Sequence, residues 1–156
     1  MVLLSGPAPS AERPAGWLGV VGSANSLNRL TQDEGHWWCL PSSAEPGSVV
    51  AMYCTSHASK RQQGVFALFR LAAFDVERDM ECRRYGSSSG YGAVSFAKLQ
   101  VLCWIEPSLP TKLLRADPVL GAAQCVRRSF QGTFFALSQR EVKRLLRLTD
   151  LQGKTD

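Results

Sequence analysis

The chain predicts a mixed α+β domain: a mostly antiparallel, strongly bent sheet or partly closed barrel with helices on its outside. Three observations predict it. Several short apolar, β-branched runs are separated by Gly, Pro and Ser turn signals. Short helical segments interrupt them without β-α-β periodicity or internal repeat. The chain closes with an amphipathic helix that carries its own start signal. At 156 residues this is one domain's worth of chain, long enough to bury a core without staples.

In chain order, Pro7, Pro9, Pro14, Gly6 and Gly16 break any regular element, so residues 1–16 are expected to be a flexible arm. Residues 17–21 read as a short buried strand. The turn that follows, residues 22–25, offers Ser23 or Asn25 to cap a short helix through Leu27 and Leu30, with Gly35 as its stop. Residues 37–41 are extended and end at a proline, and 42–47 turn the chain. Residues 48–54 are the clearest strand. A polar loop of nine residues, 55–63, leads to a long strand or strand pair at 64–74, an expected antiparallel partner for 48–54. Residues 82–91, rich in Gly and Ser, cannot build a core and read as a flexible loop. Strand returns at 96–105, and the two prolines of 106–110 mark a break. Residues 111–124 suit one or two helical turns, with Pro118 opening the second. A loop at 127–133 precedes a short strand at 134–137.

Ser138-Gln-Arg-Glu141 is a capping-box pattern, in which serine and glutamate side chains each take one free backbone N–H. Val142, Leu145, Leu146 and Thr149 then recur on one helical face, with Arg140, Lys143, Arg144 and Arg147 beside them. The domain is expected to span 17–150, with 151–156 a flexible tail.

Composition narrows the function. Hydrophobic residues make up 45% and charged residues 20%, an ordinary globular balance. No apolar run approaches the roughly 20 residues of a membrane span, so no membrane partner is expected, and residues 1–10 lack the basic flank of a secretory signal. The net charge of +5 suits an anionic partner and equally suits solubility. Five cysteines, widely spaced and without C-x-x-C, argue against a disulfide framework and a zinc knuckle. Cys39, Cys54 and Cys103 sit in apolar runs and read as reduced core residues of a cytoplasmic protein.

Catalysis needs convergent acids, bases or nucleophiles. The two histidines, His36 and His57, lack a carboxylate or cysteine at catalytic spacing. Asp75, Glu77, Asp79 and Glu81 alternate, which on an extended segment points them to one side; a solvated edge explains this better than a magnesium site. No metal and no cofactor are expected. Aromatic residues beside polar or basic turns are more telling. Trp37 and Trp38 point to opposite faces of an extended segment, so one can enter the core while the other lines a pocket. Tyr85 and Tyr91 flank the Gly/Ser loop, and Phe130 follows Arg127-Arg128. Aromatic faces stack on bases, and basic residues such as Arg83, Arg84, Arg127 and Arg128 hold phosphates.

Residues 38–53, Trp-Cys-Leu-Pro-Ser-Ser-Ala-Glu-Pro-Gly-Ser-Val-Val-Ala-Met-Tyr, resemble the EVE-domain pattern of W-x-x-P followed by P-G-D, an apolar strand and a tyrosine, with Ser48 in place of the aspartate. Residues 64–69, 113–120 and 128–138 resemble later parts of that family, so the likeness covers 17–148. EVE domains are PUA-like and similar to YTH domains. The resemblance implies a curved barrel and a pocket for a modified base, such as methylated cytosine or adenine. It implies that Trp38 forms an aromatic wall, Ser23 and Asn25 the polar turn, Tyr91 a second wall, and Ser129 and Phe130 the loop before the closing helix. The expected partner is DNA or RNA, single-stranded or with its base flipped out, and a separate effector protein downstream. The expectation is a non-catalytic binding module. The alternatives are a small hydrolase or nuclease using His36, His57 or the 75–81 acids, and a protein-interaction module.

Overall fold

The computed structural model describes residues 13–31, 35–85 and 92–155, with backbone only for 84, 85 and 151–155. Six strands form one curled, half-closed sheet: β1 (Gly16–Val21), β2 (Trp37–Pro41), β3 (Val49–Cys54), β4 (Gly64–Phe74), β5 (Val94–Leu109) and β6 (Phe134–Leu137). Their order is β2-β5-β4-β3-β1-β6. β1 and β3 run parallel, and the other neighbours are antiparallel. This is the bent, mostly antiparallel sheet that the residue pattern predicts, including the β3–β4 pairing.

β1, β3 and the first half of β4 are buried on both faces, which explains why they read as nearly unbroken apolar runs. Alternate residues of β1 go to opposite sides. Trp17 and Val21 join a cluster with Met52, Phe69 and Trp38, closed by Leu27 and Leu30 of helix α1 (Ala24–Thr31). Leu18 and Val20 join the other, with Tyr53, Leu68 and Phe135. That side is covered by α2 (Thr111–Ala116), a 3₁₀ turn (Leu120–Ala122), α3 (Gln124–Arg127) and α4 (Gln139–Thr155) through Leu114, Leu120, Cys125, Val142 and Leu145.

Both arms of the capping box form: the Ser138 N–H donates to Glu141 Oε1 at 2.8 Å, and the Glu141 N–H to Ser138 Oγ at 3.2 Å. Helix α4 continues through Thr155, beyond the 150 boundary drawn from sequence. β5 likewise runs on through the expected break, because buried Leu109 still pairs with Val65 at the head of β4.

Two expectations are corrected. Residues 76–85 form a 3₁₀ helix, Val76–Tyr85, with about three residues per turn, so the alternating acids do not share a side. Asp79 Oδ1 accepts the Phe96 N–H at 2.9 Å, Glu81 pairs with Arg78 at 2.7 Å, and Asp75 lies 4.0 Å from Lys98. The second correction is that Cys39 is not reduced. The 3₁₀ helix packs on β5 and places Cys82 in a disulfide with Cys39 of the neighbouring β2, across 43 residues, both buried against Phe96. Cys39 therefore drops out of the argument for a reducing compartment. Cross-linking a loop of that length restricts the unfolded chain and is worth about 2–4 kcal/mol. Cys39→Ser is expected to lower the urea midpoint accordingly, and a reducing agent should reproduce the loss in the wild type but not in the variant.

The three free cysteines are poor nucleophiles. Burial raises the Cys54 and Cys103 thiols, and burial followed by the nearby Glu141 charge pushes Cys125 up to about 12.

Asp117 joins the helices. Its Oδ2 accepts the Val119 and Leu120 N–H groups at 3.0 Å each, and its Oδ1 accepts Arg144 Nε at 2.7 Å. Desolvation pushes its carboxyl up, but the hydrogen bonds from Leu120, Arg144 and Val119 outweigh it and hold the group below the usual carboxylate range. A depressed folded value contributes stability above the unfolded value near pH 4 that is lost as pH falls through the folded one. Asp117→Asn should thus cost about 2 kcal/mol at pH 7, with the gap to wild type narrowing in urea titrations as pH falls below about 4.

Candidate functional site

The β1–α1 turn builds one wall of an open cleft. The Ser23 side chain caps α1, accepting the Ser26 N–H at 3.1 Å, and lies 3.0 Å from the Ser26 hydroxyl. Arg29 Nη2 reaches Ser26 Oγ at 3.3 Å from one turn on. The opposite wall is the segment before β6, fixed to β1 by a 2.9 Å bond from the Val20 N–H to the Thr133 carbonyl. Between them lies a cleft of about 450 Å³, lined by Val20, Gly22, Ser23, Ser26, Trp38, Gly132 and Thr133. That volume falls in the range of small-ligand pockets, about 300–1,000 Å³.

Trp38 is only 9% exposed, yet it forms part of the cleft wall. Its indole fits there because residue 19 is glycine: a Cβ on Gly19 would lie 2.8 Å from Trp38 Nε1 and 2.7 Å from Met52 Sδ. The buried Nε1–H has no hydrogen-bond partner among the described residues. No lining residue is charged, so the cleft offers an aromatic wall, apolar Val20 and three hydroxyls, from Ser23, Ser26 and Thr133. This chemistry suits a flat, uncharged, hydrogen-bonding ligand.

The structure thus brings Trp38 and Ser23 together and adds Ser26, Gly132 and Thr133. Ser26 was legible as the third residue after a serine cap. The Gly132-Thr133 contribution depends on the β1–β6 pairing, which has no local sequence signal. Asn25 is exposed on α1 and does not line the cleft. Phe130 is a correction: it is 4% exposed and stacked on Tyr53 at 3.7 Å, inside the core rather than at the cleft. Ser129 is exposed, and it and Phe130 turn the chain with φ of 53° and 58°. Arg83, Arg127 and Arg128 are exposed. Tyr91 and the Arg84 side chain lie outside the described residues.

Trp37, on the other side of β2, stacks on Phe96 at 4.5 Å under Arg29 at 4.8 Å. It lines a separate cleft of about 310 Å³ with His36, Arg78 and Lys98. His36 Nδ1 lies 2.6 Å from the Leu30 carbonyl. His57 is exposed in the turn after β3. No group of three His, Cys, Asp or Glu side chains converges among the described residues.

This curled six-strand sheet, with α1 packed on one side and α2–α4 on the other, has an architecture consistent with a PUA-like fold. Among solved structures it is similar to a Pseudomonas syringae protein, at 12% identity over 86% of this chain and 99% of that one, with a TM-score of 0.63. It is similar to the DUF55 domain of human thymocyte nuclear protein 1, at 15% identity over 87% and 99% of the two chains, TM-score 0.52. It is similar also to human THYN1 protein in complex with 5-methylcytosine containing DNA, at 16% identity over 86% and 97%, TM-score 0.51. At these identities the likeness establishes the fold. No protein-family model matches the chain, and no curated protein matches it significantly.

Proposed function

We propose that this protein is a binding module of the EVE type that takes a modified nucleobase of DNA into the Trp38 cleft. The observation that carries the reading is the convergence of Trp38 and Ser23 on one uncharged cleft, in a fold shared with a protein solved on 5-methylcytosine DNA. A base extruded from its stack presents two flat faces and a polar edge. The exposed part of the indole supports one face, and the hydroxyls of Ser23, Ser26 and Thr133 can donate to or accept from the edge. A methyl group seated against Val20 and Trp38 adds roughly 0.8 kcal/mol, about a fourfold preference. Arg127 and Arg128, exposed and just before the cleft segment in sequence, would meet flanking phosphates in this reading. The catalytic alternative is less well supported, since His36, His57 and the 75–81 acids do not line this cleft.

The test is binding of short DNA and RNA strands, each with and without methylated cytosine or adenine, across a salt series. Tighter binding of one modified strand that persists at high salt supports the reading. Equal binding of all strands that vanishes with salt reduces it to basic-surface attraction.

A further inference from the structure

Residues 1–110 carry nine Lys and Arg against nine Asp and Glu, whereas residues 111–156 carry nine against four. The whole formal charge of +5 therefore resides in the segment that forms α2, α3, β6 and α4, the helical layer on one side of the sheet. Two of its four acids are committed internally: Asp117 is buried under Arg144, and Glu141 caps α4. Its cations are not. Arg115 on α2, Arg127 and Arg128 at the end of α3, and Arg140, Lys143 and Arg147 on α4 are all exposed, and none forms an ion pair among the described residues. In the sheet half, Arg13, Arg78 and Lys98 each face a carboxylate, and the remaining cations are balanced in number by that half's nine acids.

The layer is mechanically joined to the cleft. Residues 128–131 are held by hydrogen bonds from Phe130 N–H to Cys125 O at 2.8 Å and from Gln131 N–H to Arg128 O at 3.1 Å, and by the Phe130 ring on Tyr53. The next two residues, Gly132 and Thr133, are cleft wall. The Arg144–Asp117 bond fixes α4 to the turn after α2, so the α4 cations and Arg115 share one rigid layer. We infer that this layer is a docking face for the phosphate backbone of double-stranded nucleic acid flanking the base held in the cleft. The inference rests on the proposed function and extends it from base to duplex. A single strand is followed by a narrow basic groove with stacking aromatics, whereas these cations spread over three helices, one of them about 25 Å long. A duplex presents a broad rod with one charge per roughly 1.7 Å.

The experiment compares wild type, the triple variant Arg140→Gln/Lys143→Gln/Arg147→Gln, and the control Lys60→Gln/Arg61→Gln in the exposed β3–β4 loop. Each is titrated over a salt series with a duplex of about 20 base pairs, roughly two turns, carrying one central 5-methylcytosine. The same is done with a single strand of equal length and with a trinucleotide bearing that base. The triple variant is expected to bind the duplex at least tenfold more weakly, with the slope of log affinity against log salt reduced by about 2–3. Its trinucleotide binding, and all binding by the control, should stay at wild-type level. An unchanged duplex slope, or an equal loss on the single strand, overturns the docking face while leaving the cleft reading intact. Wild-type protein that binds none of the three ligands overturns both.

Discussion

Gly64→Ala is expected to lower stability by about 3–5 kcal/mol, a fall in Tm of about 10 °C for a chain of this length. Gly64 opens β4 with φ of +124°, a region that side chains rarely adopt. A Cβ there would sit 2.1 Å from the Leu109 carbonyl oxygen and 2.8 Å from its carbon. Both are backbone atoms of β5, so no rotamer change relieves the clash. Strain of about 1–3 kcal/mol adds to a similar overpacking cost. The site is also where three strands meet: Gly64 pairs with Cys54 of β3, and the next residue pairs with Leu109. Thermal melts of the two proteins check this, and equal midpoints would show that β5 does not approach β4 as described.

Trp38→Ala should abolish modified-strand binding and also destabilise the fold. Removing a buried tryptophan costs about 3–5 kcal/mol, so the alanine variant alone confounds the two effects. Trp38→Phe keeps an aromatic ring in the core and should fold. It is expected to bind a modified strand about 5-fold more weakly than wild type, the low end of the roughly 1–3 kcal/mol that losing a whole stack costs, because the smaller phenyl ring still stacks. Its circular dichroism should match wild type. Wild-type affinity in the folded Phe variant would remove Trp38 from the binding site.

Much of the fold was legible because its signals are local. Residues 64–74 and 134–137 were delimited by apolar runs between turns, and the closing helix by its serine cap and stripe. The elements that were misread depend on contacts distant in sequence. The Cys39–Cys82 bond needs a 3₁₀ helix to fold back across 43 residues, and no spacing rule anticipates that. β5 persists past Pro107 because Val65 waits opposite Leu109. At the site, the Ser23 cap was legible because it concerns neighbours along the chain, whereas alternation separated Trp37 from Trp38 without deciding which of them lines this cleft, and both line clefts. Phe130 was drawn to the site by its basic neighbours. Its left-handed backbone instead turns the ring onto Tyr53, and that conformation has no signature in a phenylalanine.

The central claim is that a base enters the cleft between Ser23, Trp38 and Thr133. The most direct measurement is a ¹H–¹⁵N NMR titration with a strand carrying 5-methylcytosine, the Trp38 indole resonance being assigned by its loss in Trp38→Phe. Saturable shifts of that indole N–H and of the Ser23, Ser26, Gly132 and Thr133 amides are expected, larger than with the unmodified strand. Shifts confined to the exposed arginines and lysines, with the Trp38 indole unmoved, would contradict that claim.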